Sequence, residues 1–331
     1  MSDQRNGGIT WTEQTWNPLR GCSRVSPGCV NCYAESMAAR FAGPGQPYEG
    51  TINPDTKRWN GKIRLVPEHL QDPLRWQRPR MVFVNSMSDL FHPGVPDDFL
   101  PEVFAVMAMA KQHTFQVLTK RPERMHEVLN DGIFFEAVEQ TVKAMGGELT
   151  EENWPLPNVW IGVTVENQEA ANERIPLLLE TPAAVRWVSM EPLLGAVDLR
   201  HVMAVNAEQD WVFRWDALTG FRGHKCGGTE GHPRLDWVVV GGESGPNARP
   251  MHPDWARSLR DQCAAAGVPF LFKQWGEWAP NCVCDTKEAH TTTPRPEPGK
   301  IGVMFRCGKK AAGRLLDGRI HDEYPQTKET A

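Results

Sequence analysis

The sequence is first informative for what it lacks. No apolar run approaches the length of a membrane span, which excludes a transmembrane helix. Residues 1–10 are polar and glycine-bearing, unlike a secretory signal peptide, so a cytoplasmic chain is expected. A surplus of positive charge is also missing. The formal net charge over 331 residues is -5, which argues against bulk electrostatic binding to nucleic acid but leaves room for a local basic groove. No Gly-x-Gly-x-x-Gly turn follows the first strand, which removes support for a dinucleotide fold. There is no internal repeat beyond the strand–helix rhythm described below. Eight cysteines without a secretory signal point to ligand or free-thiol roles rather than disulfides.

What is present is organised around Gly21-Cys22-Ser23-Arg24-Val25-Ser26-Pro27-Gly28-Cys29-Val30-Asn31-Cys32-Tyr33. Cys22, Cys29 and Cys32 share a loop punctuated by Gly and Pro, and a helix over 34–41 is predicted to follow. Thiolates are soft ligands that suit iron–sulfur clusters and zinc. The Cys29-x-x-Cys32 pair can grip one site from the start of a helix, with Cys22 folding back to join it. No fourth cysteine lies nearby. On a cubane cluster three thiolates leave one iron open, which favours reactivity; the alternatives are zinc completed by a distant Cys or His, and unligated thiols.

Short apolar runs alternate with amphipathic segments from 81 onward. Strands are predicted over 9–16, 81–86, 115–120, 159–165, 185–190, 237–240 and 269–273, with helices over 97–112, 121–129, 168–179 and 254–266. Buried strands alternating with helices imply parallel βα units and an α/β fold, a full or partial (β/α) TIM-type barrel over 1–278. Insertions interrupt it near 133–157, with a helix of its own, and near 197–235. Residues 279–331 form a C-terminal extension holding Cys282, Cys284, Cys307 and the basic run Lys309-Lys310-Ala311-Ala312-Gly313-Arg314. Cys226 with His224 and His232, and Cys282 with Cys284 and Cys307, are candidates for a second metal site. Thirteen tryptophans are many for this length, and some are expected to line a pocket.

The carboxyl ends of the strands carry the polar chemistry: Ser86, Ser88 and Asp89; Thr119, Lys120 and Arg121; Thr164, Glu166 and Asn167; Ser189 and Glu191; Glu243 and Ser244; Lys273 and Gln274. In a parallel barrel these ends converge on the face where active sites are built. Internal ion pairs are the alternative, since an unpaired buried charge is costly.

A cysteine loop after the first strand, ending Cys-x-x-Cys-aromatic, resembles the radical S-adenosylmethionine superfamily. The chain more closely resembles a phage- and bacterium-associated "three-Cys-motif" family of uncharacterised proteins. The matching segments include Thr15-Trp16-Asn17-Pro18, Gly28-Cys29-Val30-Asn31-Cys32-Tyr33-Ala34, Asn85-Ser86-Met87-Ser88-Asp89-Leu90-Phe91, Ser189-Met190-Glu191-Pro192-Leu193, Gly241-Gly242-Glu243-Ser244-Gly245 and Phe272-Lys273-Gln274-Trp275-Gly276. Six residues separate Cys22 from Cys29, where the superfamily has three.

The resemblance implies a [4Fe–4S] cluster on Cys22, Cys29 and Cys32 and S-adenosylmethionine as second cofactor. Tyr33 would flank the adenine, Ser88 and Asp89 the methionine ammonium, and Thr164, Glu166 and Asn167 the ribose. Glu191, Glu243 and Lys273 would face the substrate, a nucleic-acid base or nucleotide. A reductant such as flavodoxin or ferredoxin is implied as a partner, and no membrane. The competing expectation is a metal-stabilised nucleic-acid-binding module without catalysis, using Lys309, Lys310 and Arg314.

Overall fold

The structure, a computed structural model, describes residues 9–206, 211–224, 227–280, 291–292 and 304–326. The predicted rhythm is realised as seven strands: β1 (Gln14–Trp16), β2 (Met81–Val84), β3 (Thr114–Thr119), β4 (Val159–Thr164), β5 (Val185–Met190), β6 (Trp237–Gly241) and β7 (Phe270–Gln274). They are neighbours in chain order in one sheet, and the pairings from β1 to β4 and from β5 to β7 are parallel. Parallel neighbours cannot be joined by hairpins, so each crossover must be long enough to hold a helix. The helices are α1 (Tyr33–Arg40), α2 (Phe99–Met109), α3 (Pro122–Asn130), α4 (Gly132–Ala144), α5 (Gln168–Leu179) and α6 (Pro253–Ala266). The fold is therefore mixed α/β. The strand order is linear, from β1 to β7, and a full eight-stranded barrel is not present among the described residues.

The chain divides into two compact units, Met1–Val163 with Glu180–Arg186, and Thr164–Leu179 with Trp187–Ala331. In the first, α2 is apolar nearly all round and buried along most of its length, as expected of a helix covered on more than one side. Asp131 caps α4 by accepting from the Ile133 N–H at 2.9 Å. The long stretch between α1 and β2 holds Arg64–Leu65, which pairs antiparallel with Leu19–Arg20 from before α1, and the two short helices Pro67–Leu70 and Asp72–Arg75.

In the second unit, β6 and β7 are buried at every position, which explains the apolar runs at 237–240 and 270–272. The predicted insertion near 197–235 is an antiparallel sheet of Val202–Asn206, Trp211–Asp216, Phe221–His224 and Gly227–Thr229, paired in sequence order. Its stem closes on one residue. The Ala217 N–H donates to the Leu199 carbonyl and the Leu235 N–H donates to the Ala217 carbonyl, each at 2.8 Å.

The C-terminal extension has a role that its composition did not reveal. Leu271 bridges Asp322 in antiparallel fashion, and the Phe272 N–H donates to the His321 carbonyl at 3.0 Å. This covers the outer edge of β7, which would otherwise offer open backbone groups. Trp278–Ala279, Thr291–Thr292 and Met304–Arg306 add a small sheet. Cys226, Cys282 and Cys284 lie outside the described residues. Cys307 is disulfide-bonded, against the expectation of free thiols and ligands, and a bonded sulfur is lost to a tail metal site. Among the described residues no helix is long and apolar enough to cross a membrane.

The tryptophans mostly pack rather than line a pocket. Trp16, Trp187, Trp215 and Trp237 are fully buried, and the Trp187 and Trp237 rings lie 5.4 Å apart. A cavity of about 730 Å³ is lined by no tryptophan, and Trp154 lines a much smaller one.

His252 gives the second unit a pH dependence. It is the N-cap of α6, and its Nδ1 accepts from the Asp254 N–H at 3.2 Å, which requires the neutral ring. Burial pushes its pKa below the usual histidine value. An unfolded histidine takes up a proton near pH 6.5 and the folded one resists, so stability present above that pH is lost as pH falls. Thermal unfolding midpoints should drop on acidification from about pH 7 to 5, and His252→Asn, which caps without titrating, should flatten that drop. An unchanged slope would remove His252 from the account.

Candidate functional site

The cysteine loop lies within the first unit and is built from backbone geometry upward. Gly21 has φ +98°, and a Cβ there would stand 2.1 Å from the Lys62 carbonyl oxygen, so only glycine can deliver the chain to Cys22. Pro27–Cys29 forms a single 3₁₀ turn, and Cys32 is the N-cap of α1. The loop is pinned to that helix by Arg24, whose guanidinium pairs with both oxygens of the buried Glu35. Glu35 also accepts from the Trp59 N–H at 2.8 Å. Cys22, Cys29 and Cys32 are all free thiols of intermediate burial.

Arg121, directly after β3, reaches back to Cys22. Its Nη1 and Nη2 lie 3.8 and 3.9 Å from the Cys22 sulfur, and Nη2 also donates to the Ser23 carbonyl and Ser23 Oγ at 3.0 and 2.9 Å. Asp89 holds the guanidinium, accepting from Nη1 at 2.7 Å. The same carboxylate accepts from Thr119 Oγ1 and the N–H groups of Phe91 and Lys120. His92 accepts from the Gly94 N–H through Nδ1, so the neutral ring donates from Nε2 to Ser23 Oγ at 2.9 Å. Burial, reinforced by Arg121, holds the His92 pKa down at about 4.

The sulfurs sit in opposing fields. Burial pushes the Cys22 thiol up to about 12, Asp89 adds to the rise, and Arg121 opposes it. Burial also raises Cys32, against which act the N–H groups of Glu35 and Ala34 at the start of α1 and the charge of Lys120. These donors are placed to favour a thiolate once a cation displaces its proton. Among the described residues, no three His, Cys, Asp or Glu side chains are grouped so as to hold a metal ion.

Other expected cofactor contacts are placed as follows. Tyr33 is more than half exposed, with its hydroxyl donating to the Ser86 carbonyl at 2.7 Å. Ser88 donates its hydroxyl to the Leu19 carbonyl at 3.0 Å. Asp89 is the buried clamp on Arg121, which uses the carboxylate expected for the methionine ammonium. The large cavity shares only Arg121 with this network; its remaining walls come from α2, α3, α4 and the segment at Phe91.

The second unit holds the remaining candidates, in separate groups. Glu191 accepts from Lys273 Nζ on both oxygens, at 2.8 and 2.7 Å, and from Gln274 Nε2 at 3.0 Å. Gln274 also donates to Ser244 Oγ at 3.1 Å. Glu243 is bound by Arg249 through the backbone N–H, Nε and Nη2. The two loops interlock through glycines: a Cβ on Gly242 would lie 1.9 Å from the Trp275 carbonyl oxygen, and one on Gly276 2.0 Å from that of Glu243. Thr164 is buried, and its carbonyl accepts from Arg174 at 2.7 Å. Glu166, expected at the ribose, is fully buried and paired with Arg174 at 2.9 Å. Asn167 caps α5, accepting from the Ala170 N–H at 2.9 Å.

The predicted strand-end carboxylates Asp89, Glu166, Glu191 and Glu243 are thus each paired with an arginine or lysine. The partners not singled out from sequence are Ser23 and His92 around Cys22, and Arg174 and Arg249 around the glutamates; Arg121 is expected at a strand end, but its approach to Cys22 is not. Arg121 had one available signal: a charged residue directly at the end of a buried strand.

No curated protein and no solved structure matches the chain. A family model described as "Protein of unknown function (DUF5131)" matches residues 6–325. With nearly its whole length covered, the chain belongs to the DUF5131 family.

Proposed function

We propose that Cys22, Cys29 and Cys32 hold a [4Fe–4S] cluster and that the protein uses it to cleave S-adenosylmethionine reductively. The observation carrying this reading is the set of three free thiols on one loop and helix N-terminus, faced by donors that offset negative charge. The donor chemistry fits the group: soft thiolates, three in number, with no fourth cysteine in the loop to close the site. A cubane takes its thiolates from separate iron corners, so its ligands need not crowd as they would around one zinc ion.

The bound cluster would supply the electron that breaks a carbon–sulfur bond of the sulfonium. The chain's own part is placement. Arg121 offsets charge at Cys22, and the Ala34 and Glu35 N–H groups do so at Cys32. Arg24 and Glu35 keep the loop in register with α1. Tyr33, fixed by its hydroxyl bond to Ser86, presents a ring face that suits an adenine. Nucleic-acid bases and nucleotides are the substrate class to screen first.

Anaerobically reconstituted protein should bind about four iron and four sulfide and absorb broadly near 400 nm. On reduction with dithionite it should release 5′-deoxyadenosine from S-adenosylmethionine. Full zinc occupancy without sulfide would overturn the reading, as would a cluster-loaded protein that neither binds nor cleaves S-adenosylmethionine.

A further inference from the structure

Helix α1 is built inside out. Its buried face carries Ala34 and Ala38, packed with Ile52 and Met87. The large apolar side chains point the other way: Tyr33, Met37 and Phe41 are 55, 43 and 45 % exposed, at positions i, i+4 and i+8. That spacing lines them along one side over about 12 Å. Val25 and Val30, each 48 % exposed, extend the apolar surface into the cysteine loop. Five of the eleven large apolar side chains exposed among the described residues therefore fall between 25 and 41. Such clustering marks an interaction surface rather than the scattered exposure normal for a globular chain.

Charge narrows the occupant. Residues 17–64 carry seven Lys and Arg against three Asp and Glu, in a chain whose net charge is -5. One of the three acids, Glu35, is buried against Arg24, whereas Arg40, Lys57, Arg58, Lys62 and Arg64 are exposed. The cysteine segment is thus a basic lobe on an acidic protein. Its stripe of Tyr, Met and Phe beside Arg40 has the composition enriched at protein–protein interfaces. Valine and methionine offer no ring for base stacking, which leaves two aromatics and disfavours a single-stranded nucleic acid.

We infer that this face docks an acidic one-electron carrier protein. The inference rests on the proposed cluster, since Val30 lies between Cys29 and Cys32 and the stripe begins at the residue after Cys32. The carrier's reduced centre loses one electron, and the iron held by the thiolates gains it; no bond forms or breaks between the proteins. The basic lobe steers the acidic partner, and the apolar stripe holds it.

The test uses an acidic plant-type [2Fe–2S] ferredoxin as probe, with full-length protein and its Met37→Glu/Phe41→Glu variant. Wild-type binding should weaken about tenfold between roughly 50 and 300 mM salt. The variant should bind more than about tenfold more weakly, with an unchanged melting midpoint and unchanged dithionite-driven release of 5′-deoxyadenosine. Equal binding by variant and wild type would overturn the inference. So would a stripe-dependent homodimer, or a dT12 oligonucleotide that binds through the stripe while the ferredoxin does not. Binding is read without turnover. A wild-type protein that binds ferredoxin yet cleaves nothing under dithionite would therefore sink the radical chemistry and not the docking face.

Discussion

Cys29→Ala protein, purified and reconstituted without oxygen, should retain little of the wild-type iron and release no 5′-deoxyadenosine under dithionite. Cys29 closes the 3₁₀ turn of the loop and is one of the three thiols that the loop offers. Groups that merely orient a metal ligand are worth about 10–100-fold in metal affinity, so deleting a ligand should cost more than that. The matched control is Cys263→Ala. Cys263 is also a free thiol, fully buried in α6, where it packs as a small apolar side chain. That variant should lose some thermal stability and keep both iron and cleavage. If both variants lose iron in parallel, the metal is held non-specifically and the loop has no special claim to it.

Arg174→Met should destabilise the protein by about 3–5 kcal/mol, because it removes the cation paired with the fully buried Glu166 carboxylate. Arg174 also donates to the Thr164 carbonyl, so the substitution leaves that oxygen short of a donor too. Adding Glu166→Leu should restore much of the loss, since replacing both members of a buried pair by apolar groups is far cheaper than removing one. Denaturant midpoints of the single and double variants measure this directly. A single variant that unfolds at the wild-type midpoint yet fails to bind S-adenosylmethionine would instead return Glu166 to the cofactor site.

The contrast between these two positions explains what could be read from the sequence. The boundaries of α5 and β5 follow from local pattern, because each apolar segment ends abruptly in polar residues. The loop around Cys22, Cys29 and Cys32 is equally local: cysteine spacing within eleven residues and a helix start are visible in one window. Arg121 stands 99 residues from the sulfur it faces, and no short-range pattern announces that approach. A glutamate at a strand end is the same letter whether it awaits a ligand or, like Glu166, is matched by an arginine on the next helix. The antiparallel sheet within 197–235 escaped notice for a different reason. Its strand Trp-Val-Phe-Arg-Trp-Asp mixes aromatic and charged residues, and it is matched across the sheet by the Arg222 guanidinium over the Trp215 and Phe213 rings, a pairing that no local pattern shows. The first strand is shorter than the predicted 9–16, since pairing with β2 begins only at Gln14.

The closure of the 197–235 excursion on Ala217 bears on how this chain can change length. Leu199 and Leu235 flank one residue from opposite sides, each through a single main-chain hydrogen bond. Entry and exit are thus held about two strand spacings apart, roughly 10 Å. Everything between them is an appendage on a fixed doorway. Changes of length within that module that keep the Ala217 tie leave the strands before and after it in register.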